Sequence, residues 1–351
     1  MRIFCYFVEP AAYTLDLATN VYEKNNIDYA FIKSVSLAKA PPISSKVFLD
    51  KLSWMSRIRF VINTFRNNDL IIVNGYNNYP FILTFILNVF SFNKKYIATE
   101  SDTQLRIPKN LLKRLVKWVY LLIIFRNKYV LGFAGGSKSH KELFRYYGMI
   151  EDRIFLMPMM VDNEKFYCDN KVFPKPFTFL YVGRVIKHKN VEALIHQFNT
   201  NFNDKDVVLR IVGSGVESDY LKTKYESNKV NFAGKLFDKN LINEFHNASC
   251  FVLPSLFEPW GLVVNEALSS GLPVIATKNV GAIFDLIENK DTGFIAGDMT
   301  AFGKSMISLF SDEKLLKRYS ENAVFLMKDH WNYDLYTKNL LFAIQKVKQW
   351  I

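Results

Sequence analysis

The chain has 351 residues, 50% of them hydrophobic, and a formal net charge of +12. That length exceeds one ordinary core and suits two domains, and the apolar share excludes a chain that is disordered over most of its length. The charge is uneven: residues 1–175 hold 25 Lys+Arg against 14 Asp+Glu, net +11, whereas 176–351 hold 20 against 19, net +1. A basic first half points to nucleic acid, an anionic membrane or an acidic substrate; no aromatic–basic recognition motif supports nucleic acid, so none is expected as a partner. Cys5, Cys168 and Cys250 are widely spaced and give neither a disulfide framework nor a zinc site, which fits a reducing compartment.

In chain order, Ile3–Val8 reads as a buried strand, too short before Glu9-Pro10 for a signal-peptide core. Leu15–Lys24 reads as a helix, Asp28–Ile32 as a strand, and Ser34–Ser45, with Pro41-Pro42, as a loop. Helix Trp54–Arg66, strand Leu70–Val73, helix Tyr79–Phe90, strand Tyr96–Thr99 and helix Asn110–Phe125 follow. Strand Val130–Ala134, helix Lys138–Tyr147 and strand Ile154–Met157 close the first half, and Ser137 is the expected N-cap of the helix. No stretch is long and apolar enough for a membrane span. Val116–Phe125 is very apolar, yet Lys113, Arg114, Lys117, Arg126 and Lys128 bracket it. Two readings stand: a helix lying in a membrane interface with cations toward lipid phosphates, or a helix packed on its own sheet with a solvated basic edge.

The second half repeats the alternation. Strand Phe177–Val182, helix Val191–Phe198, strand Val207–Val212, strand Val230–Phe232, helix Leu241–Asn247, strand Cys250–Leu253, helix Val263–Ser270 and strand Val274–Ala276 are expected. Two such runs, joined near Lys171–Pro176, predict two doubly wound α/β domains with parallel sheets. Between the strand ending at Leu253 and the helix after Gly261 lies Pro254-Ser255-Leu256-Phe257-Glu258-Pro259-Trp260-Gly261. Gly261 lets backbone approach a ligand closely, and the helix start favours an anion, for which a diphosphate is the natural occupant. Glu258, and Glu266 about one and a half turns into the helix, are carboxylates able to accept hydroxyl hydrogen bonds.

The run from Pro254 through Glu258 and Glu266 to Gly271-Leu272-Pro273-Val274 strongly resembles the E-x7-E signature of retaining glycosyltransferase family 4. The resemblance implies the GT-B fold: two Rossmann-like domains facing a central cleft, with a C-terminal helix crossing back to the first domain near Trp331 and Tyr333. The expected division is 1–173 with 334–351 for the acceptor, and 174–333 for the donor. Val182-Gly183-Arg184 with Lys187-His188-Lys189-Asn190 is similar to the family segment whose Arg and Lys clamp the donor diphosphate, which implies that role for Arg184 and Lys189. Gly213-Ser214-Gly215 resembles the family's G-x-G turn, and is also an ordinary tight turn. Phe232-Ala233-Gly234-Lys235 resembles the base-contacting strand end, with backbone at Lys235 and Leu236. Gly293-Phe294 matches a family turn. By the same resemblance Glu266 holds ribose hydroxyls, Glu258 and Trp260 lie at the donor sugar, and backbone at Gly261, Leu262 and Val263 meets sugar and phosphate. No cofactor and no metal are expected.

The first half departs from the family. Glu9-Pro10-Ala11-Ala12-Tyr13 stands where a Gly-rich loop is usual, and Glu100-Ser101-Asp102-Thr103 where a His is usual. Gly75-Tyr76-Asn77 and Ser101-Asp102-Thr103 resemble a subgroup pattern. Asp102, then Glu100, are the expected contacts to acceptor or donor sugar, unless each caps the next segment; Asp162 reads as structural. The expectation is sugar transfer from a UDP- or GDP-sugar to a polysaccharide or lipid-linked glycan, on the cytoplasmic side and peripheral to the inner membrane face. A GT-B sugar-nucleotide epimerase and a non-catalytic glycan- or membrane-binding relative are the alternatives.

Overall fold

The computed structural model describes residues 1–35, 47–169 and 171–351. The loop expected at Ser34–Ser45 therefore lies almost wholly outside the described residues. Contacts divide the chain into Met1–Met160 with Tyr333–Ile351, and Val161–Asn332.

The first unit holds β1 (Ile3–Phe7), β2 (Asp28–Phe31), β3 (Leu70–Asn74), β4 (Tyr96–Ser101), β5 (Val130–Ala134) and β6 (Ile154–Leu156). All pair in parallel, in the order β2-β1-β3-β4-β5-β6. The connecting helices are α1 (Ala12–Leu17), α2 (Trp54–Asn67), α3 (Tyr79–Phe90), α4 (Leu111–Phe125) and α5 (Lys141–Tyr146). After β1 the chain moves one way along the sheet, and after β2 it returns past β1 and continues. Right-handed crossovers then put α1 on one face and α2–α5 on the other, so the sheet is covered on both sides and its strands are continuous apolar runs. β3 (Leu-Ile-Ile-Val) and β5 are buried along almost their whole lengths. The direction reverses between β1 and β3, which leaves a crevice at their carboxyl ends.

β4 runs two residues past the expected Thr99, so Glu100 and Ser101 belong to a strand whose six residues are all buried. The helix expected from Lys138 starts at Lys141, with His140 before it; Ser137 lies in a turn and does not cap it. Asn110 does cap α4, accepting from the Lys113 amide at 3.0 Å.

The second unit holds β7 (Phe177–Val182), β8 (Val207–Val212), β9 (Val230–Gly234), β10 (Cys250–Leu253), β11 (Val274–Thr277) and β12 (Gly293–Ala296), parallel in the order β12-β11-β10-β7-β8-β9. Its helices are α6 (Asn163–Phe166), α7 (Val191–Phe202), α8 (Ser218–Tyr225), α9 (Asp238–His246), α10 (Leu262–Ser269), α11 (Ile283–Leu286), α12 (Met299–Ser311) and α13 (Glu313–Phe325). Here the winding reverses between β7 and β10. Residues 161–169 and 171–173, expected with the first unit, belong to this one. Asn163 donates to the Met327 and Trp331 carbonyls, and Lys171 donates to the Phe245 and His246 carbonyls, a cation on the C-terminus of α9. Gly293 begins a strand instead of forming only a turn, and it pairs so closely with β11 that a Cβ there would lie 1.9 Å from the Val274 carbonyl oxygen.

The last helix, α14 (Tyr333–Trp350), belongs to the first unit. Phe342 meets Phe155 edge-on at 6.0 Å, and Trp350 packs on Tyr96 at 5.8 Å. Among the described residues no helix is long and apolar enough to cross a membrane.

Candidate functional site

In the second unit the reversal point between β7 and β10 brings two loops together. One follows β7 and carries Gly183, Arg184 and Lys189; the other follows β10 and carries Glu258 to Gly261. They are tied by backbone: the Leu256 amide donates to the His188 carbonyl at 2.8 Å, and the Asn190 side chain to the Pro254 carbonyl at 3.3 Å. Across this join Lys189 and Glu258 form an ion pair, both largely buried. Sequence reasoning gave these two residues separate ligands, phosphate and sugar, and missed that they hold each other. An ammonium has three donors, so the pair leaves Lys189 with N–H groups for an anion. Arg184 is exposed on the same loop, and its carbonyl accepts the Tyr181 hydroxyl at 2.8 Å. Glu258 is also fixed through its backbone, its amide on the Asn279 carbonyl and its carbonyl on the Gly281 amide, each at 3.1 Å.

Gly261 precedes α10 at φ 96°, a left-handed conformation that a side chain disfavours. The amides of Leu262 and Val263 open α10 without a preceding turn to bond to, and both residues are half-buried. Glu266 lies one turn further. Its carboxylate takes no hydrogen bond or ion pair among the described residues, and burial alone pushes its pKa up to about 7. A desolvated, unpaired carboxylate is costly in the empty protein and well suited to a ligand that donates hydroxyls.

Trp260 is not where it was expected. Its side chain is 2% exposed, stacks on Trp331 at 5.7 Å and 12°, and donates Nε1–H to Asn265 Oδ1 at 2.8 Å. Gly213 and Gly215 are explained by packing: a Cβ would stand 1.8 Å from the Gly183 carbonyl oxygen at the first and 2.2 Å from that of Val185 at the second. The G-x-G turn thus lets the β8 end press against the Gly183–Val185 loop, with Val185 donating to the Ser214 carbonyl and Gly213 to that of Gly234. Lys235 is exposed with its ammonium over the Phe237 ring at 4.8 Å, and Leu236 is half-buried.

In the first unit a cleft of about 330 Å³ opens at the β1/β3 reversal. It is lined by the ends of β1 (Phe7 to Glu9), β3 (Asn74 to Asn78) and β4 (Glu100 to Thr103). Asp102 is exposed at its rim. Glu100 is 8% exposed, and its Oε1 accepts the Tyr336 hydroxyl of α14 at 3.1 Å. Tyr336 in turn shares a 3.0 Å hydrogen bond with Tyr22. Glu100 Oε2 has no partner. Burial raises the Glu100 pKa to about 7, opposed by the Tyr336 hydroxyl, helped by the Asp102 charge and opposed again by the Asn74 side chain. The tyrosine pair escaped sequence reasoning, because Tyr336 and Glu100 are 236 residues apart. Among the described residues no group of three or more His, Cys, Asp or Glu is arranged to hold a metal ion.

Residues 162–324 match the family model described as "Glycosyl transferases group 1". Among curated proteins, the chain is 28% identical over 53% of its length to the N-acetyl-alpha-D-glucosaminyl L-malate synthase of Bacillus anthracis, and 34% identical over 46% to the capsular polysaccharide biosynthesis glycosyltransferase CapM of Staphylococcus aureus. It spans about half the length of these relatives, 49% and 46%. Among solved structures, Anabaena Alr3699/HepE in complex with UDP superposes with a TM-score of 0.76 over 99% of this chain and 100% of the other, at 16% identity. The fold is the two-domain α/β fold of GT-B glycosyltransferases.

Proposed function

We propose that the protein is a retaining glycosyltransferase of family 4 type, moving a sugar from a UDP- or GDP-sugar to a polysaccharide or lipid-linked glycan at the cytoplasmic membrane face. The observation that carries this reading is the buried Lys189–Glu258 pair at the β7/β10 reversal, beside the start of α10 and its desolvated Glu266. On this reading Arg184, Lys189 and the α10 amides stabilise the charge that builds on the departing diphosphate. Glu258 accepts hydroxyls of the transferred sugar and Glu266 those of the ribose. Donor binding divides the Lys189 ammonium between Glu258 and phosphate. The diphosphate leaves from the face that the acceptor hydroxyl enters, which preserves the anomeric configuration. The residues assigned here handle that charge with cations of the chain, and no metal is assigned. The Anabaena neighbour's complex with UDP is the reason to try UDP-sugars first.

Membrane contact is assigned to α4. Its amino-terminal turns stand clear of the sheet, exposing Leu111 (77%), Leu112, Leu115, Val116 and Trp118 among Lys113 and Arg114, while Leu121, Ile124 and Phe125 pack inside. On this reading the exposed face of α4, which continues through Val119 and Ile123, meets the bilayer while its buried face packs on the sheet. An apolar face of this size flanked by cations suits an anionic bilayer. Incubation with radiolabelled UDP- and GDP-sugars and a lipid extract tests the transferase reading: label should enter the glycan or lipid fraction and be lost in Glu258→Ala. Recovery of an epimerised nucleotide sugar instead favours the epimerase.

A further inference from the structure

The register between β7 and β10 covers two pairs, Phe179 with Cys250 and Leu180 with Phe251. Lys189 and Glu258 lie well beyond it, on the loops that follow, so their pairing depends on what joins loop to loop. Glu258 is anchored from its far side by the Asn279 carbonyl and the Gly281 amide. The Gly183–Val185 backbone is anchored to the end of β8 through Val212 and Ser214. The turn Lys187–Lys189 closes on itself, with the Lys189 amide on the Ile186 carbonyl and the Asn190 amide on that of Lys187. Two hydrogen bonds tie this turn to the Glu258 loop: Leu256 N–H to the His188 carbonyl, and the Asn190 side chain to the Pro254 carbonyl.

Asn190 is unusual in two respects. Its backbone is left-handed, at φ 59° and ψ 34°, a conformation that asparagine tolerates and most side chains avoid. It also stands directly before α7, where an asparagine ordinarily accepts a hydrogen bond from the first turn of the helix. Here it makes no capping hydrogen bond, although Asp298 and Asp312 in the same unit do cap α12 and α13. The Asn190 amide donates instead to a residue 64 positions away, on the other loop. Pro254 is buried, and a buried carbonyl needs a donor. Glycine satisfies this backbone more cheaply than asparagine, so the side chain is explained by the cross-loop bond.

We propose that Asn190 is a positioning residue for sugar transfer: it holds the Lys187–Lys189 turn against the Glu258 loop and so fixes where the Lys189 ammonium stands. This rests on the transferase reading, in which Lys189 meets charge building on the departing diphosphate. That charge is greatest in the transition state, so a slightly displaced cation loses rate more than affinity. Nucleotide affinity is spread over Glu266, Arg184 and the α10 amides, and none of these is anchored through Asn190.

The test compares the full chain with Asn190→Gly, which keeps the left-handed backbone and removes the amide. Using whichever UDP- or GDP-sugar labels the lipid extract, kcat should fall about tenfold to a hundredfold. Donor KM and the Kd of UDP or GDP should change less than about threefold, because ground-state contacts persist. Asn190→Asp, which tolerates the same backbone but offers no N–H to Pro254, should not restore kcat. Residue-resolved hydrogen exchange reads the join without any turnover: the Leu256 amide should exchange about tenfold faster or more in Asn190→Gly, with the Gly281 amide unchanged. Unaltered kcat or unaltered Leu256 exchange overturns the proposal. So does a loss of Tm and nucleotide affinity as large as the loss of kcat, which general loosening gives. If the unsubstituted chain binds UDP or GDP yet transfers no sugar, the transferase reading fails, and Leu256 exchange alone then decides whether Asn190 holds the two loops together.

Discussion

Replacing Glu266 by Gln separates the stability of the empty protein from its affinity for a nucleotide. Burial raises the Glu266 pKa from the ordinary 4.5 to about 7. The folded state therefore holds the proton more tightly than the unfolded chain does. Its relative stabilisation is complete below pH 4.5 and is lost as pH rises through 7, so above 7 the folded protein carries the full burden of a desolvated charge. A shift of that size corresponds to about 3 kcal/mol, reduced to about 1–2 kcal/mol because Glu266 retains partial solvent access. Gln removes the charge at nearly constant shape. Glu266→Gln should then raise Tm at pH 8 by roughly 2–8 °C for a unit of this size and leave it unchanged near pH 4.5. The same variant should bind UDP or GDP about tenfold to a hundredfold more weakly, because a charge-assisted hydrogen bond to ribose becomes a neutral one. Thermal melts at the two pH values, with a nucleotide titration at pH 8, read both effects. A Tm that does not differ between the two pH values, or undiminished nucleotide affinity, refutes the reasoning.

Gly213→Ala should destabilise by at least about 2 kcal/mol in denaturant melts, since its Cβ meets the Gly183 carbonyl at φ +137°. Gly234→Ala, also at positive φ but with nothing within 4 Å, should cost only about 1 kcal/mol. Trp260→Ala should cost about 3–5 kcal/mol by emptying the space against Trp331, seen as a large fall in Tm; a variant of unchanged Tm that lost only donor affinity would restore Trp260 to the donor pocket. Leu111→Ser with Leu115→Ser should change stability by less than about 0.5 kcal/mol each and reduce co-sedimentation with phosphatidylglycerol vesicles at least about tenfold.

Much of the fold was legible because buried parallel strands are continuous apolar runs bounded by turn residues. β5, β7, β8, β10 and α3 lie where the apolar pattern put them. The loop between β10 and α10 was legible for a related reason: Glu258, Gly261 and Glu266 are close in sequence, and a strand, a loop and a helix start order them without help from afar. What could not be read depends on distant partners. Trp260 is drawn inward by Trp331, and Glu100 is held from α14. Lys189 and Glu258, 69 residues apart, pair only because the winding reverses between β7 and β10. The basic first half is uninformative about position in a different way. A net charge is a sum, and it does not say that the cations lie on exposed helices while a cleft in the same unit is acidic.

The central claim is tested most directly by the linkage of the product. The protein, an α-linked UDP- or GDP-sugar and a neutral octyl glycoside are incubated together, and the new glycosidic bond is read by proton NMR while nucleoside diphosphate is assayed in parallel. The account predicts one α-linked disaccharide for each diphosphate released, absent in Glu258→Ala. A β-linked product contradicts retention, and release of no diphosphate from any donor contradicts the transferase itself.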